Sequence, residues 1–341
     1  MAEKKKLIRT KLFLSSWLKK CKVSFLGSRK KRRYIFLLND IIKIFVLFVT
    51  YFITAKIGLS MQAVSGFATL LWVPTGISIA ALFIYGYRFW PGIALAAFTV
   101  NLETGAPVFA ALGISIGNTL EAVIAVYLLH RFTGLRNPFL AIKDVISYLI
   151  FVVLLSTMVS ATLGVTSLWL SGIVTTAAYW KTWFFWWMGD LFGALIIAPF
   201  LIEWIKEKRS GYLVKKDIMK IILIILASIL IIGINYSRIV SGKSVIFYLF
   251  FIPLIWSVIS FGVKGAVTGS FIFSLISLLT VIKGLGPFIT GTLEQNLLAT
   301  ELFRGITAVI LLILAAVITE NKSLNAGLEK KLGRFKRLES E

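Results

Sequence analysis

The sequence has little of what reactive chemistry would need. Its 341 residues include one cysteine, Cys21, and one histidine, His130, so a disulfide within the chain is excluded and a Cys/His metal site has too few ligands. A Ser-His-Asp triad would depend on His130, which stands beside Arg131 in a predicted polar loop. We therefore expect no catalytic residues, no bound metal and no cofactor, and we expect that the protein is not an enzyme.

Charged residues are also scarce. They make up 15% of the chain, 58% of the residues are hydrophobic, and the mean hydropathy is +0.89. A soluble domain carries about 25% charged residues, so a soluble globular enzyme is excluded, and the apolar content excludes disorder. The apolar runs are long and continuous, whereas a membrane β-barrel requires alternation. These features predict an all-α, polytopic integral membrane helical bundle.

The apolar runs predict about ten membrane spans, since one span needs about 20 residues. Their approximate bounds are 37–58, 69–86, 91–104, 107–129, 144–166, 180–204, 217–235, 244–262, 264–283 and 297–319. The run 91–104 is short and polar at its end, which suits either a tilted span or a re-entrant segment. We keep it as a span because a re-entrant segment would reverse the side of every later loop.

The basic residues set the predicted orientation. With both termini in the cytoplasm, cytoplasmic segments carry 29 of the 37 Lys and Arg residues and external segments carry 4. Basic residues favour the cytoplasmic side of a membrane, so this distribution supports ten spans with both ends inside.

Residues 1–36 form a predicted basic cytoplasmic arm. Thirteen of the 37 Lys and Arg residues lie in 1–33, which accounts for much of the net charge of +22 without a nucleic-acid partner. Such a segment is attracted to anionic lipid. Its apolar residues suit an interfacial amphipathic helix, and the alternative is a disordered tail that only fixes the orientation.

Ionisable side chains inside the predicted spans are the candidate functional residues, because burying a charge in a membrane is costly unless it is paired or solvated. Asn118 and Glu121 lie three residues apart, on one helix face. Asp190 lies in the sixth predicted span, and Glu301 and Arg304, also three apart, lie in the tenth. We predict that Glu121 and Asp190, which fall near the middle of their spans, meet in one pocket.

Two arrangements of the charges remain open. Arg304 could pair with Asp190 or Glu121, which would leave one carboxylate for a ligand, a proton or water. Alternatively, Glu301 and Arg304 could pair with each other near the outer surface, with both inner acids protonated and hydrogen-bonded. Polar groups of this kind also hold transmembrane helices together.

Aromatic residues and prolines add two further predictions. Trp186 and Trp187 run deeper toward Asp190 than an interfacial aromatic belt requires, so they could form a stacking surface for a flat or cationic ligand. The ligand-binding residues predicted in this way are Asn118, Glu121, Trp186, Trp187, Asp190 and Arg304. Pro74 is expected to kink or break the second span.

Four motifs resemble the bacterial membrane-associated sensor domain family of the first type, the MASE family. They are LWVPTGISIAA at 71–81, GYRFWPG at 86–92, GNTLEA at 117–122 and WWMGDLFGALIIAP at 186–199. Their order and spacing agree with the family over roughly residues 37–320. The resemblance implies a multi-pass sensory module of the bacterial inner membrane. In the family, such a module is usually followed by a cytoplasmic output domain such as a histidine kinase, a diguanylate cyclase or a phosphodiesterase.

The chain departs from that pattern after the predicted transmembrane domain, 37–319. Residues 320–341 place apolar side chains at one helical spacing, and these are Leu324, Leu328, Leu332, Phe335 and Leu338. The stripe predicts a short cytoplasmic coiled-coil-like helix that contacts a cytoplasmic signalling protein or forms a homodimer.

The predicted function is therefore detection of an unknown ligand or membrane state, relayed through the C-terminal helix. The alternative is a secondary transporter or flippase-like carrier that uses the inner carboxylates, with helices broken at Pro74 and Pro199.

Overall fold

A computed structural model describes residues 38–60, 71–134, 137–207, 222, 248–282 and 291–338. Within these ranges the chain folds into helices and contains no strand, so the predicted all-α class is confirmed for them. The helices are α1 Leu38–Ser60, α2 Val73–Tyr85, α3 Trp90–Glu103, α4 Val108–Thr133, α5 Ile142–Leu170, α6 179–207, α7 Phe251–Phe261, α8 Val263–Ile282 and α9 Leu293–Leu338.

Six of the described helices are long and apolar enough to cross a membrane, namely α1, α4, α5, α6, α8 and α9. Helices α2 and α7 are apolar but shorter, and α3 has 14 residues, about 21 Å of helix against a hydrocarbon core of about 30 Å. The count of ten spans and the sidedness of the termini therefore stay predictions. The predicted span 217–235 lies outside the described residues, apart from Ile222.

Large apolar side chains cover the outer surface of the long helices, as contact with lipid requires. On α1 alone, Ile41, Phe45 and Ile53 are more than half exposed. The chain divides into two units, 1–46 and 47–341. Of the first unit the structure describes residues 38–46, which are helical. Every contact below lies within the second unit.

Helices α4 and α5 approach closely because small residues line their interface. A Cβ atom at Gly113 would lie within 2 Å of the Ser167 Oγ, and one at Gly117 would lie 3.1 Å from the Leu163 Cβ. Helices inside a membrane gain their stability from such close packing. This contact brings the polar face of α4, with Asn118 and Glu121, against α5.

Two long helices contain a π-helical segment, Tyr148–Ser156 in α5 and Gly193–Ile197 in α6. In α6 the N–H of Ala198 bonds to the Gly193 carbonyl five residues back, and Pro199 has no N–H to offer. The carbonyl of Ala194 is therefore left free, and it accepts a hydrogen bond of 2.5 Å from the Tyr148 hydroxyl of α5. Pro199 is thus accommodated without ending the helix.

Pro74 lies in the first turn of α2, which begins at Val73. The expectation of a kink or break at Pro74 is therefore wrong: the first turn has no N–H partner to lose, and the fixed φ of proline suits a helix start. The residue before the helix is anchored to α6, because the Trp72 N–H donates to the Gly189 carbonyl at 2.9 Å.

Helix α9 contains 46 residues and runs from the bundle into the predicted C-terminal segment without a break at residue 320. Its first part is packed, with Glu301, Arg304 and Ala308 buried. The apolar stripe of the last part is exposed throughout, with 58–70% exposure at Leu324, Leu328, Leu332, Phe335 and Leu338. One rigid element therefore joins the interior of the bundle to an uncovered apolar surface.

Candidate functional site

The two inner carboxyl groups lie together on one threonine hydroxyl. The Oγ1 of Thr75 on α2 is 2.6 Å from the Oδ1 of Asp190 on α6 and 3.3 Å from the Oε2 of Glu121 on α4. Three helices thus each supply one side chain to the cluster. A hydroxyl has one proton to donate and two lone pairs, so Thr75 can donate to one carboxylate and accept from a protonated second one.

Asn118 continues this cluster away from the carboxyl groups. Its Nδ2 donates to the Tyr51 hydroxyl at 2.7 Å, and its Oδ1 accepts from the Ser160 Oγ at 2.8 Å. The indole Nε1 of Trp186 donates to the same Ser160 oxygen at 3.1 Å. The network therefore links α1, α4, α5 and α6 through side chains alone.

The network is closed to the surroundings but is not fully satisfied. Asp190 and Ser160 are 0% exposed and Glu121 is 1% exposed. The Glu121 Oε1 and the Asp190 Oδ2 accept no hydrogen bond from the residues that the structure describes. Buried polar atoms almost always have a partner, and those that do not call for an explanation. These two carboxyl oxygens are the positions at which a proton or a cation can bind.

Close backbone packing places Thr75 between the two acids. A Cβ at Gly76 would lie 2.4 Å from the Gly193 carbonyl oxygen, and a Cβ at Gly193 would lie 2.1 Å from the Trp72 carbonyl oxygen. Two glycines are thus needed where the start of α2 meets the π segment of α6. A larger residue at either position would push Thr75 away from Asp190.

Arg304 and Trp187, both predicted as ligand-binding residues, have other partners. Arg304 pairs with Glu301 in a buried ion pair, which is the pairing of the second arrangement left open above. Trp187 donates its Nε1 to the Leu154 carbonyl at 3.2 Å and stacks on Trp183 at 5.7 Å. Asn118, Glu121, Asp190 and Trp186 are the predicted residues that the structure brings together.

Tyr51, Thr75 and Ser160 are members of the network that the sequence did not single out. Thr75 lies inside the motif at 71–81, but nothing in that motif indicated that its side chain would bond to the two acids. Tyr51 is a polar residue inside an apolar span, which is a usable signal. Ser160 gave no such signal, because serine is tolerated throughout transmembrane helices when it bonds to its own backbone.

The two carboxyl groups of this site can bind a positive charge. Two negative charges this close in a low-dielectric interior repel strongly, so a proton or cation held between them is stabilising. Among the described residues, Lys and Arg side chains make no ion pair with Glu121 or Asp190, and no group of three His, Cys, Asp or Glu residues has the arrangement of a metal site.

Comparison with known proteins identifies a family. The model of the MASE1 family matches residues 44–322, which is most of the chain. No match was found among curated proteins or among solved structures. The matched region contains every residue of the network around Thr75 and Asn118.

Proposed function

Because the chain belongs to the MASE1 family of membrane-associated sensor domains, we propose that it is a non-enzymatic sensory module whose input site is the carboxyl cluster around Thr75. The observation that carries this proposal is the pair of free oxygens on Glu121 and Asp190. The input is a proton or a small cation that binds between the two carboxyl groups.

We further propose that both termini lie in the cytoplasm and that the basic arm 1–36 binds anionic lipid.

A direct contact connects the input site to α9. Phe192 lies two residues beyond Asp190 on α6, and its ring packs against Gly305 so closely that a Cβ there would lie 2.4 Å from the ring Cε1. Neutralising the acids would change the position of α6 relative to α2. We infer two positions of α6 relative to α2, one with the carboxyl groups charged and one with them neutralised. A ligand shifts an equilibrium between two states only by its preference for one of them, so the cation must bind more tightly in one of these two positions.

The output surface is the exposed apolar stripe of α9. Its residues recur at helical spacing over residues 324–338 and remain uncovered in the single chain. An uncovered apolar stripe of this kind marks a partner site, and the spacing suits a helix–helix seam. A shift of α9 at Gly305 would change how this stripe is presented to a cytoplasmic signalling protein or to a second copy of the chain.

The proposal predicts that neutralising the two acids removes the response of α9 to pH. A nitroxide is attached at Leu328→Cys in a Cys21→Ser background, which contains no other cysteine, and its mobility is followed by electron paramagnetic resonance in membrane vesicles. We expect a change in mobility on acidification. Glu121→Gln with Asp190→Asn should abolish that change, because both amides imitate protonated carboxyl groups.

A label at Asn325→Cys, which lies off the stripe on the same exposed helix, provides the matched control for pH effects on the nitroxide itself. If the mobility at residue 328 responds equally in the protein with both acids and in the amide variant, the carboxyl cluster is not the input site.

The second candidate function is a secondary transporter, and the same two buried acids favour it. Proton-coupled carriers use carboxyl groups inside the bundle that are reached in turn from each side. In proteoliposomes with an imposed pH gradient, a transporter would carry protons together with its substrate, and Glu121→Gln or Asp190→Asn would stop the uptake. We expect no acid-dependent uptake, since a sensor needs only one route to its site.

A further inference from the structure

A second group of buried polar atoms lies on α8. Ser270, Ser274 and Ser277 are at most 4% exposed, and their hydroxyl groups make no hydrogen bond with the described residues. Their spacing of four and three places them on one helix face. Another face of α8, at Gly265 and Gly269, packs against Ser257 of α7.

Helix α9 contacts α8 beside the middle serine of the three. There, the Nη1 of Arg304 donates to the Ser274 carbonyl at 2.7 Å, and another guanidinium nitrogen pairs with the Glu301 Oε1. Glu301 is 0% exposed and Arg304 is 1% exposed. The Glu301 Oε2 and the Arg304 Nε have no hydrogen-bond partner among the described residues.

Five polar groups with free hydrogen-bonding capacity therefore lie on α8 and α9, and the two helices touch where Arg304 bonds to the Ser274 carbonyl. They comprise a carboxylate acceptor, a guanidinium donor and three hydroxyls that can do both. The pair Glu301 and Arg304 is neutral as a whole, so the free atoms call for a neutral molecule that donates and accepts. Buried polar groups without a protein partner are commonly hydrogen-bonded to ordered water.

We propose that Ser270, Ser274, Ser277, Glu301 and Arg304 form a second polar site, between α8 and α9, that is filled with water entering from the end where α9 begins. This site is separate from the carboxyl cluster around Thr75, and it does not depend on the function proposed for that cluster.

The polar residues of α9 indicate the route by which water enters. Asn296 and Thr300 are buried and lie eight and four residues, respectively, before Arg304, on the same helix face. They lie between Arg304 and the exposed residues Gly291 and Thr292, at which the described chain resumes before α9. Asn296 bonds to the backbone of Gly291 at 3.0 and 3.1 Å, which holds the polar entrance against the start of the helix.

Thiol accessibility tests this proposal in the full-length chain. Ser274→Cys is placed in the Cys21→Ser background, and the protein in membrane vesicles is treated with a charged, membrane-impermeant methanethiosulfonate reagent. We expect Ser274→Cys to react at least about tenfold faster than Phe273→Cys, because only a solvated thiolate reacts. Phe273 is the adjacent residue, is 2% exposed and lies in apolar surroundings.

Gln295→Cys, at an exposed position near the start of α9, reports which side of the membrane that end faces. Ser274→Cys should be labelled from the same side as Gln295→Cys. Ser277→Cys should react faster than Ser274→Cys, and Ser270→Cys more slowly, because the reagent meets the three positions in that order. Serine and cysteine are nearly equal in size, so this series also keeps the test valid if one variant fails to fold.

Two results would overturn the proposal. Equal, slow reaction of Ser274→Cys and Phe273→Cys would show a dry interface. Reaction of Ser274→Cys from the side opposite to Gln295→Cys would show that water does not enter along Asn296 and Thr300.

Discussion

Arg304→Met is expected to destabilise the protein strongly. The change leaves the buried Glu301 carboxylate without its partner, and breaking one side of a buried ion pair costs about 3–5 kcal/mol. The low end of that range is expected here, because the serine hydroxyls of α8 and water can solvate the remaining charge. Denaturant titration in mixed detergent micelles, followed by the fluorescence of the ten tryptophans, measures the loss.

The double variant Glu301→Leu with Arg304→Met provides the control. It removes both charges, and replacing a whole buried pair by apolar residues is often neutral or stabilising. We expect it to recover most of the free energy of unfolding that Arg304→Met loses. If the double variant is as unstable as Arg304→Met alone, the packing of the arginine side chain, and not the unpaired charge, is responsible.

Gly193→Val is the second substitution with a large expected effect. Even a Cβ at this position would lie 2.1 Å from the Trp72 carbonyl oxygen, and the Trp72 N–H in turn bonds to the Gly189 carbonyl of α6. Overpacking typically costs about 1–3 kcal/mol, and the upper end is expected because rigid backbone is in the way. The displaced α2 would also carry Thr75 away from Asp190.

Gly333→Ala is the matched control for the glycine change, because nothing lies within 4 Å of a Cβ at Gly333. Alanine is the better helix former by about 1 kcal/mol, so this variant should be at least as stable as the natural sequence. The thermal midpoint of tryptophan fluorescence compares the two variants. An unchanged midpoint for Gly193→Val would mean that α2 and the π segment of α6 can separate without cost.

The candidate site was partly predictable from the chain. A carboxyl group in an apolar span is conspicuous, and the three-residue spacing of Asn118 and Glu121 placed both on one face of α4. Thr75 was not predictable as their common partner, because it contributes from a different helix, and the contact depends on how closely Gly76 lets α2 approach Gly193. Ser160 was not predictable either, because a serine in an apolar helix is not distinctive until Asn118 and Trp186 are seen to bond to it.

The partner of Arg304 could not be predicted from charge alone. Glu121, Asp190 and Glu301 each carry a carboxyl group that could pair with it, and charge gives no preference among them. The choice of Glu301 follows from helix geometry, since residues three apart on α9 are neighbours before any tertiary contact forms. Pro74 was misjudged because the start of α2 could not be placed within a few residues.

The sequence by itself determined that this is an all-α membrane protein with its chemistry confined to a few polar side chains, since hydropathy and helical spacing are local properties of the chain. The tertiary structure alone decided which of those side chains meet. That depended on glycine contacts and on two π-helical segments, whose effect on neighbouring helices is fixed only when the helices pack together.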